Sequence, residues 1–172
     1  KNLDEAVVNK ILMPSLKEDY VLSSYETTEW KKKALIDALK GPAEEMRIAL
    51  SFADSADYST YDRNLNLGQD DNGEEIDLEI TITKDQLIDA VGEQYKKAVG
   101  ICKKLLERNG LTGKDLSSLI LVGGPTYSPI IRDMLKAEIT PNVDTSINPM
   151  TAVARGAALY ASTIDANINE AE

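Results

Sequence analysis

The sequence contains no histidine and a single cysteine, Cys102. A Ser-His-Asp triad, a Cys-His pair and a structural zinc site therefore all lack their parts, and Cys102 has no partner for an intrachain disulfide. Its place on an apolar helical stripe predicts a buried, inert thiol, in keeping with a reducing, cytoplasmic setting. Positive charge is also scarce: 19 Lys and Arg stand against 29 Asp and Glu, a formal net charge of −10. That balance argues against a nucleic-acid partner, whose phosphates are bound by Lys and Arg. No apolar run is long enough to cross a bilayer, so no membrane partner is expected, and the opening residues Lys1, Asn2, Leu3 and Asp4 are not a signal peptide. The abrupt start reads as a boundary inside a longer protein. At 172 residues the chain has room for one core with a satellite subdomain but not for two full domains. It carries no internal repeat or low-complexity tract.

What is present is mostly helical pattern. Residues 3–20 carry Val7, Val8, Ile11, Leu12 and Leu16 at helical spacing, with Pro14 expected to bend or divide the helix. Thr28 is placed to cap a second helix bearing Trp30, Ala34, Leu35, Ala38 and Leu39, which Gly41 and Pro42 are expected to interrupt. The helix then resumes with Met46, Ala49, Leu50 and Ala53 on one stripe and Glu44, Arg47, Ile48 and Ser51 on another. By itself the second stripe is an ordinary solvated face with a Glu44–Arg47 pair.

Residues 58–67 and 75–82 read as a hairpin turned at Asp71, Asn72 and Gly73, with Ile76, Leu78, Ile80 and Ile82 alternating against polar neighbours. The same stretch nearly imitates a calcium loop through Asp70, Asn72, Gly73 and Glu79. Gly68 stands at the first ligand position, however, and strict alternation is a strand's signature, so no metal site is assigned. Thr83 and Gln86 form a capping box for a helix to about Arg108, with Leu87, Val91, Tyr95, Ala98, Cys102, Leu105 and Leu106 on one side, ended by Asn109 and Gly110. Residues 112–117 link it to a short apolar strand.

That strand, Leu119, Ile120, Leu121 and Val122, runs into Gly123, Gly124 and Pro125 and restarts as a helix capped by Ser128 with Pro129 at its first position. Paired glycines at a strand end let a ligand approach the backbone without meeting a Cβ, as in the crevices where open α/β sheets bind nucleotides. Four consecutive apolar residues predict burial on both faces. Further on, Asn148 and Pro149 are expected to open a helix filled with small residues, Ala152, Ala154, Gly156, Ala157 and Ala158, in which Gly156 permits close packing.

The Val-Gly-Gly turn, the Asn-Pro helix after it and the Glu44 to Ser51 segment before it together resemble the end of the nucleotide-binding domain of the 70-kilodalton heat-shock (DnaK-type) chaperones, within the actin-like ATPases. The similarity runs from about Glu26 to Thr163. It implies an α/β fold, α+β in this piece: a fragment of the second lobe, with long helices, a small antiparallel hairpin subdomain and a remnant strand of the lower sheet. Residues 21–116 would be the upper subdomain, 1–20 and 117–163 lower elements, and 164–172 a frayed tail. The resemblance implies adenosine contacts from Glu44 and Arg47 to the ribose, Ser51 to the adenine edge and Ile48 to one face of the base, facing Gly123, Gly124, Pro125 and Tyr127. Tyr127 replaces an arginine common in the family, and Met150 an acidic residue, which marks a divergent member.

On this resemblance the cofactor is ATP or ADP, with Mg2+ in the longer parent. The parent would couple hydrolysis to binding unfolded polypeptide through a further domain, in the cytoplasm. No catalytic residue is assigned here, because the phosphate loops belong to parts of the family outside this sequence, and the piece is expected to be inactive. A nucleotide-exchange factor would dock on residues 57–110, and the other lobe and substrate-binding domain of the parent would be further partners. Two other readings stand beside it: a docking lobe for the exchange factor with degraded nucleotide binding, and a fragment of an actin-like filament protein or sugar kinase. The latter shares the Gly-Gly turn but matches the Glu44 to Ser51 helix poorly.

Overall fold

The computed structural model describes residues 2–169, and side chains over residues 3–163. It is helix-rich, with two small two-stranded sheets, and divides into two compact units, one through Lys97 and one from Ala98. Among the described residues no helix is long and apolar enough to cross a membrane.

The first unit opens with α1 (Asn2–Val7), a wide π-helical turn (Val8–Leu12) and α2 (Met13–Asp19). Pro14 has no N–H to donate and its ring would crowd the carbonyl four residues back. The wide turn just upstream, in which the Met13 N–H reaches back to the Val8 carbonyl, absorbs that mismatch without ending the helix. Ala6, Val7, Val8, Leu12, Met13 and Leu16 are buried, while Ile11 is half-buried. After a short α3 (Ser23–Thr27), α4 spans Glu29–Ala49. Thr28 stands at its N-cap with extended backbone, but its side chain makes no capping bond.

The interruption expected at Gly41 and Pro42 does not occur; α4 is one helix with Pro42 inside it. An interior proline costs about 3 kcal/mol. Here Pro42 is itself buried beside Leu35, Leu39, Ala43 and Met46 on the face that packs against α1, and large apolar side chains contribute about 1.5–3 kcal/mol each when fully buried. The packed face outweighs the lost hydrogen bond. Trp30 and Ala34, expected on the same stripe, are exposed.

The hairpin is displaced from its expected position. β1 (Ser55–Ser59) pairs antiparallel with β2 (Glu79–Thr83), Ser55 opposite Thr83 and Ser59 opposite Glu79. The Asn72-Gly73 turn closes a smaller loop, marked by an isolated bridge between Gln69 and Glu75. Asp70 holds this loop to the chain before α3: its carboxylate accepts the N–H groups of Val21, Asn72 and Glu74 at 3.1, 2.8 and 3.0 Å. Desolvation works against that carboxylate, but these N–H groups hold it below its ordinary range. The expected alternation survives: Ile76, Leu78 and Ile82 are buried, Ile80 is half-buried, and Asp77, Glu79, Thr81 and Thr83 are exposed. Thr60, fully buried, extends the pairing through its main chain and its hydroxyl, both bonded to Leu78.

The capping box opens α5 (Lys84–Arg108): the Thr83 N–H donates to Gln86 Oε1 at 2.8 Å, and the Gln86 N–H to Thr83 Oγ1 at 3.3 Å. The boundary between the units falls within this helix. Its N-terminal half buries Leu87, Ala90, Val91, Tyr95 and Val99. Beyond that the stripe surfaces: Ala98, Ile101 and Leu105 are exposed, and Cys102 is half-buried where full burial was expected.

In the second unit the linker after Gly110 forms a 3-10 turn (Gly113–Asp115) with a capping box of its own, Thr112 with Asp115. β3 (Leu119–Ile120) and β4 (Val143–Asp144) pair in parallel across α6 (Pro129–Glu138), a strand–helix–strand unit. Only Leu121 of the four-residue apolar run is buried; Ile120 and Val122 are exposed, so burial on both faces is not found. α7 (Ala152–Asn169) begins three residues later than expected, after a turn over residues 148–151. Nothing lies within 4 Å of a Cβ built at Gly156, so among the described residues its expected packing role is absent. The helix continues into the expected tail, whose last residues, 170–172, lie outside the described ones.

Gly113 has the opposite environment. A Cβ there would sit 1.6 Å from the Ile139 carbonyl oxygen at the end of α6, and backbone cannot step aside cheaply. Gly113→Ala should destabilise the chain by at least about 2 kcal/mol, whereas Gly156→Ala should stabilise it by up to about 1 kcal/mol. Urea unfolding of both variants checks this; equal effects would contradict it.

Candidate functional site

The residues singled out in the sequence fall into two groups, one in each unit. Glu44, Arg47, Ile48 and Ser51 lie at the C-terminal end of α4 in the first unit; Gly123, Gly124, Pro125 and Tyr127 lie between β3 and α6 in the second.

On α4 the stripe does not behave as one surface. Ile48 is 50% exposed, the Glu44 side chain is open to solvent and Ser51 is half-buried. Arg47, spaced with them, turns the other way and is 8% exposed. Its Nε donates to Asp4 Oδ1 of α1 at 2.9 Å, and its Nη2 lies 3.8 Å from Glu44 Oε1. The stripe is therefore not an ordinary solvated face, and its arginine is committed to a buried pair. Burial alone would raise the Asp4 carboxyl, but the Arg47 guanidinium bonded to it holds it below its ordinary value. Asp4 was missed in the sequence. Its signal was there: Asp4, Val7, Val8 and Ile11 share one helical face, and an acid on an apolar stripe calls for a partner.

Past Ala49 the helix tightens. The Ser51 N–H bonds the Ile48 carbonyl and the Phe52 N–H the Ala49 carbonyl, each at 3.0 Å. The Ser51 hydroxyl donates to the Arg47 carbonyl at 3.2 Å, leaving its lone pairs available to accept.

The glycine turn is held from behind by the segment before α7. Gly123 has φ 88° and ψ 153°, a conformation open to glycine and costly for other residues. Its N–H donates to the Pro149 carbonyl at 2.9 Å. A Cβ at Gly124 would lie 3.3 Å from Met150 Sδ. Residues 124–127 form a 3-10 turn. The Tyr127 hydroxyl donates to Asn148 Oδ1 at 2.7 Å, and that oxygen also accepts the Met150 N–H at 2.9 Å. The Arg132 guanidinium lies 5.6 Å from the Tyr127 ring centre, and its Nε donates to the Thr126 carbonyl at 2.7 Å. Ser128 and Pro129 take the N-cap and first position of α6 as expected, though the Ser128 side chain makes no capping bond. The Asn148 turn follows the local Asn-Pro signal, whereas its bond to Tyr127 and the role of Arg132 have no local pattern.

On this segment the Glu44 carboxylate and the Ser51 hydroxyl are hydrogen-bond acceptors, and Ile48 offers an apolar surface. Among the described residues no three or more acidic or cysteine side chains converge as a metal ion requires, and no step is assigned to Mg2+.

The sequence matches the family model described as Hsp70 protein over residues 2–172. It is also 28% identical over 162 residues to the chaperone protein DnaK of Nitrosopumilus maritimus (strain SCM1), an alignment covering 87% of this chain and 24% of that protein. The chain thus spans about a quarter of the length of this curated relative.

The buried pair gives a pH test. Because the folded Asp4 carboxyl titrates below its unfolded value, its contribution is fully present above about pH 5 and is lost as the pH falls through the folded value. Asp4→Asn should destabilise the chain at neutral pH by about 3 kcal/mol, by leaving the buried Arg47 charge with only the exposed Glu44 carboxylate 3.8 Å away, and should flatten the acid limb of stability against pH. Urea midpoints between about pH 3 and pH 7 measure both; a variant with an unchanged acid limb would contradict the assignment.

Proposed function

The chain belongs to the Hsp70 protein family, and from that premise we propose that it is the adenosine-side lobe of the actin-like ATPase domain of a DnaK-type cytoplasmic chaperone. In this reading Glu44 meets the ribose, Ile48 covers one face of adenine and Ser51 accepts from the adenine edge, while Gly123, Gly124, Pro125 and Tyr127 are the remaining residues assigned to the nucleotide. The supporting observation is the outward presentation of Glu44, Ile48 and Ser51 at the end of α4. Arg47 contributes by fixing that presentation, its Nε being engaged by Asp4. The longer parent would hold ATP with Mg2+, hydrolyse it, and couple hydrolysis to polypeptide binding. Such catalysis rests on positioning phosphates and water, by groups this reading places outside the chain.

A second reading has its own support. With Arg47 buried and its Nε committed to Asp4, one of the expected ribose contacts is already engaged inside the fold. That favours a lobe weak in nucleotide affinity whose residues 57–110 serve chiefly to dock an exchange factor.

Calorimetry separates the two. On the first reading adenosine, ADP and ATP bind the chain alike and weakly, at about −4 kcal/mol or millimolar Kd, since base and sugar supply the contacts. Ser51→Ala and Ile48→Ala should each weaken binding about three- to tenfold. Absence of binding at several millimolar supports the docking lobe. Micromolar binding that requires the γ-phosphate contradicts both.

A further inference from the structure

We infer that Met150 is a peroxide-reactive methionine whose reversible oxidation to the sulfoxide reshapes the glycine turn between β3 and α6. The chain has four methionines. Met13 and Met46, in the first unit, are 8% and 1% exposed, and Met134 on α6 is half-buried, whereas Met150 is 66% exposed. A thioether is oxidised only where the oxidant reaches a sulfur lone pair, so exposure ranks the four and puts Met150 first.

The place of the sulfur gives the reaction a consequence. A Cβ at Gly124 would lie 3.3 Å from Met150 Sδ, so the sulfur rests beside the open face of that glycine. The main chain around Met150 is tied to the same turn. Its N–H donates to Asn148 Oδ1 at 2.9 Å, the oxygen that also takes the Tyr127 hydroxyl, and the Pro149 carbonyl accepts the Gly123 N–H. One residue thus meets the turn through its side chain and is braced against it through its backbone.

Peroxide supplies the oxygen. The sulfur lone pair attacks one peroxide oxygen, the S–O bond forms and the O–O bond breaks. The electron pair of that bond leaves on the other oxygen, which takes up the proton of the first and departs as water. Sulfur is oxidised by two electrons, peroxide is reduced, and an apolar thioether becomes a polar, chiral sulfoxide. Its new oxygen either meets the Gly124 backbone or turns to water and draws the side chain off the turn; both displace Gly123 and Gly124. Methionine sulfoxide reductases, one for each epimer, restore the thioether. The change lies in the turn itself, whether or not a nucleotide binds there.

The 15N-labelled chain is treated with hydrogen peroxide, and oxidation of each methionine is followed by mass spectrometry of proteolytic peptides. Met150 should convert at least about tenfold faster than Met13 and Met46. The amide signals of Gly123, Gly124 and Tyr127 should move in step with it and return on treatment with the two reductases. Met150→Leu, which keeps Cys102 and the other methionines, should show no such movement under peroxide. Oxidation of Met13 or Met46 as fast as that of Met150, amides 123–127 unmoved by full conversion of Met150, or the same movement in peroxide-treated Met150→Leu would each overturn the inference.

Discussion

The ion pair between Asp4 and Arg47 sets the rotation of the helix that carries the candidate site. A helix turns about 100° per residue, so fixing one side chain inward fixes where its neighbours point. With Arg47 drawn toward α1 at 2.9 Å, Glu44 and Ile48 are left facing solvent and Ser51 lies at the margin. Apolar packing holds α4 against α1 through Leu35, Leu39, Ala43 and Met46, and the hydrogen-bonded charge pair works in the same direction. A buried pair of this kind adds little net stability over an apolar substitute. Its worth here is orientation.

The second unit reaches comparable precision with backbone. Gly113 lets the loop after α5 touch the Ile139 carbonyl at the end of α6. Gly123 adopts a positive φ and passes its N–H to Pro149. Asn148 gathers the Tyr127 hydroxyl and the Met150 N–H on one oxygen. The turn between β3 and α6 is thus braced by the segment that leads into α7, so the two motifs distant in sequence that first suggested a nucleotide are in contact within one unit.

Much of this was legible in the sequence because the signals were local. The Thr83–Gln86 capping box, the helix end at Asn109 and Gly110, the Ser128–Pro129 start and the alternation from Ile76 to Ile82 each depend on residues within a few positions. The misreadings came where tertiary contact overruled local preference. Pro42 was read as a break because its propensity is poor, and the buried face of α4 carried it through. The hairpin turn was found, but the ladder lies farther out, because residues 60–78 fold into a loop pinned by Asp70. The pairing of Arg47 with Asp4, 43 positions away, shows locally only as an acid on the apolar stripe of α1, which does not name its partner.

Amide chemical shifts of the 15N-labelled chain titrated with adenosine test the assignment of the site most directly. Perturbations centred on residues 44–52, with Arg47 and Asp4 still bonded to one another, are the predicted result. Shifts that leave residues 44–52 unmoved would contradict it.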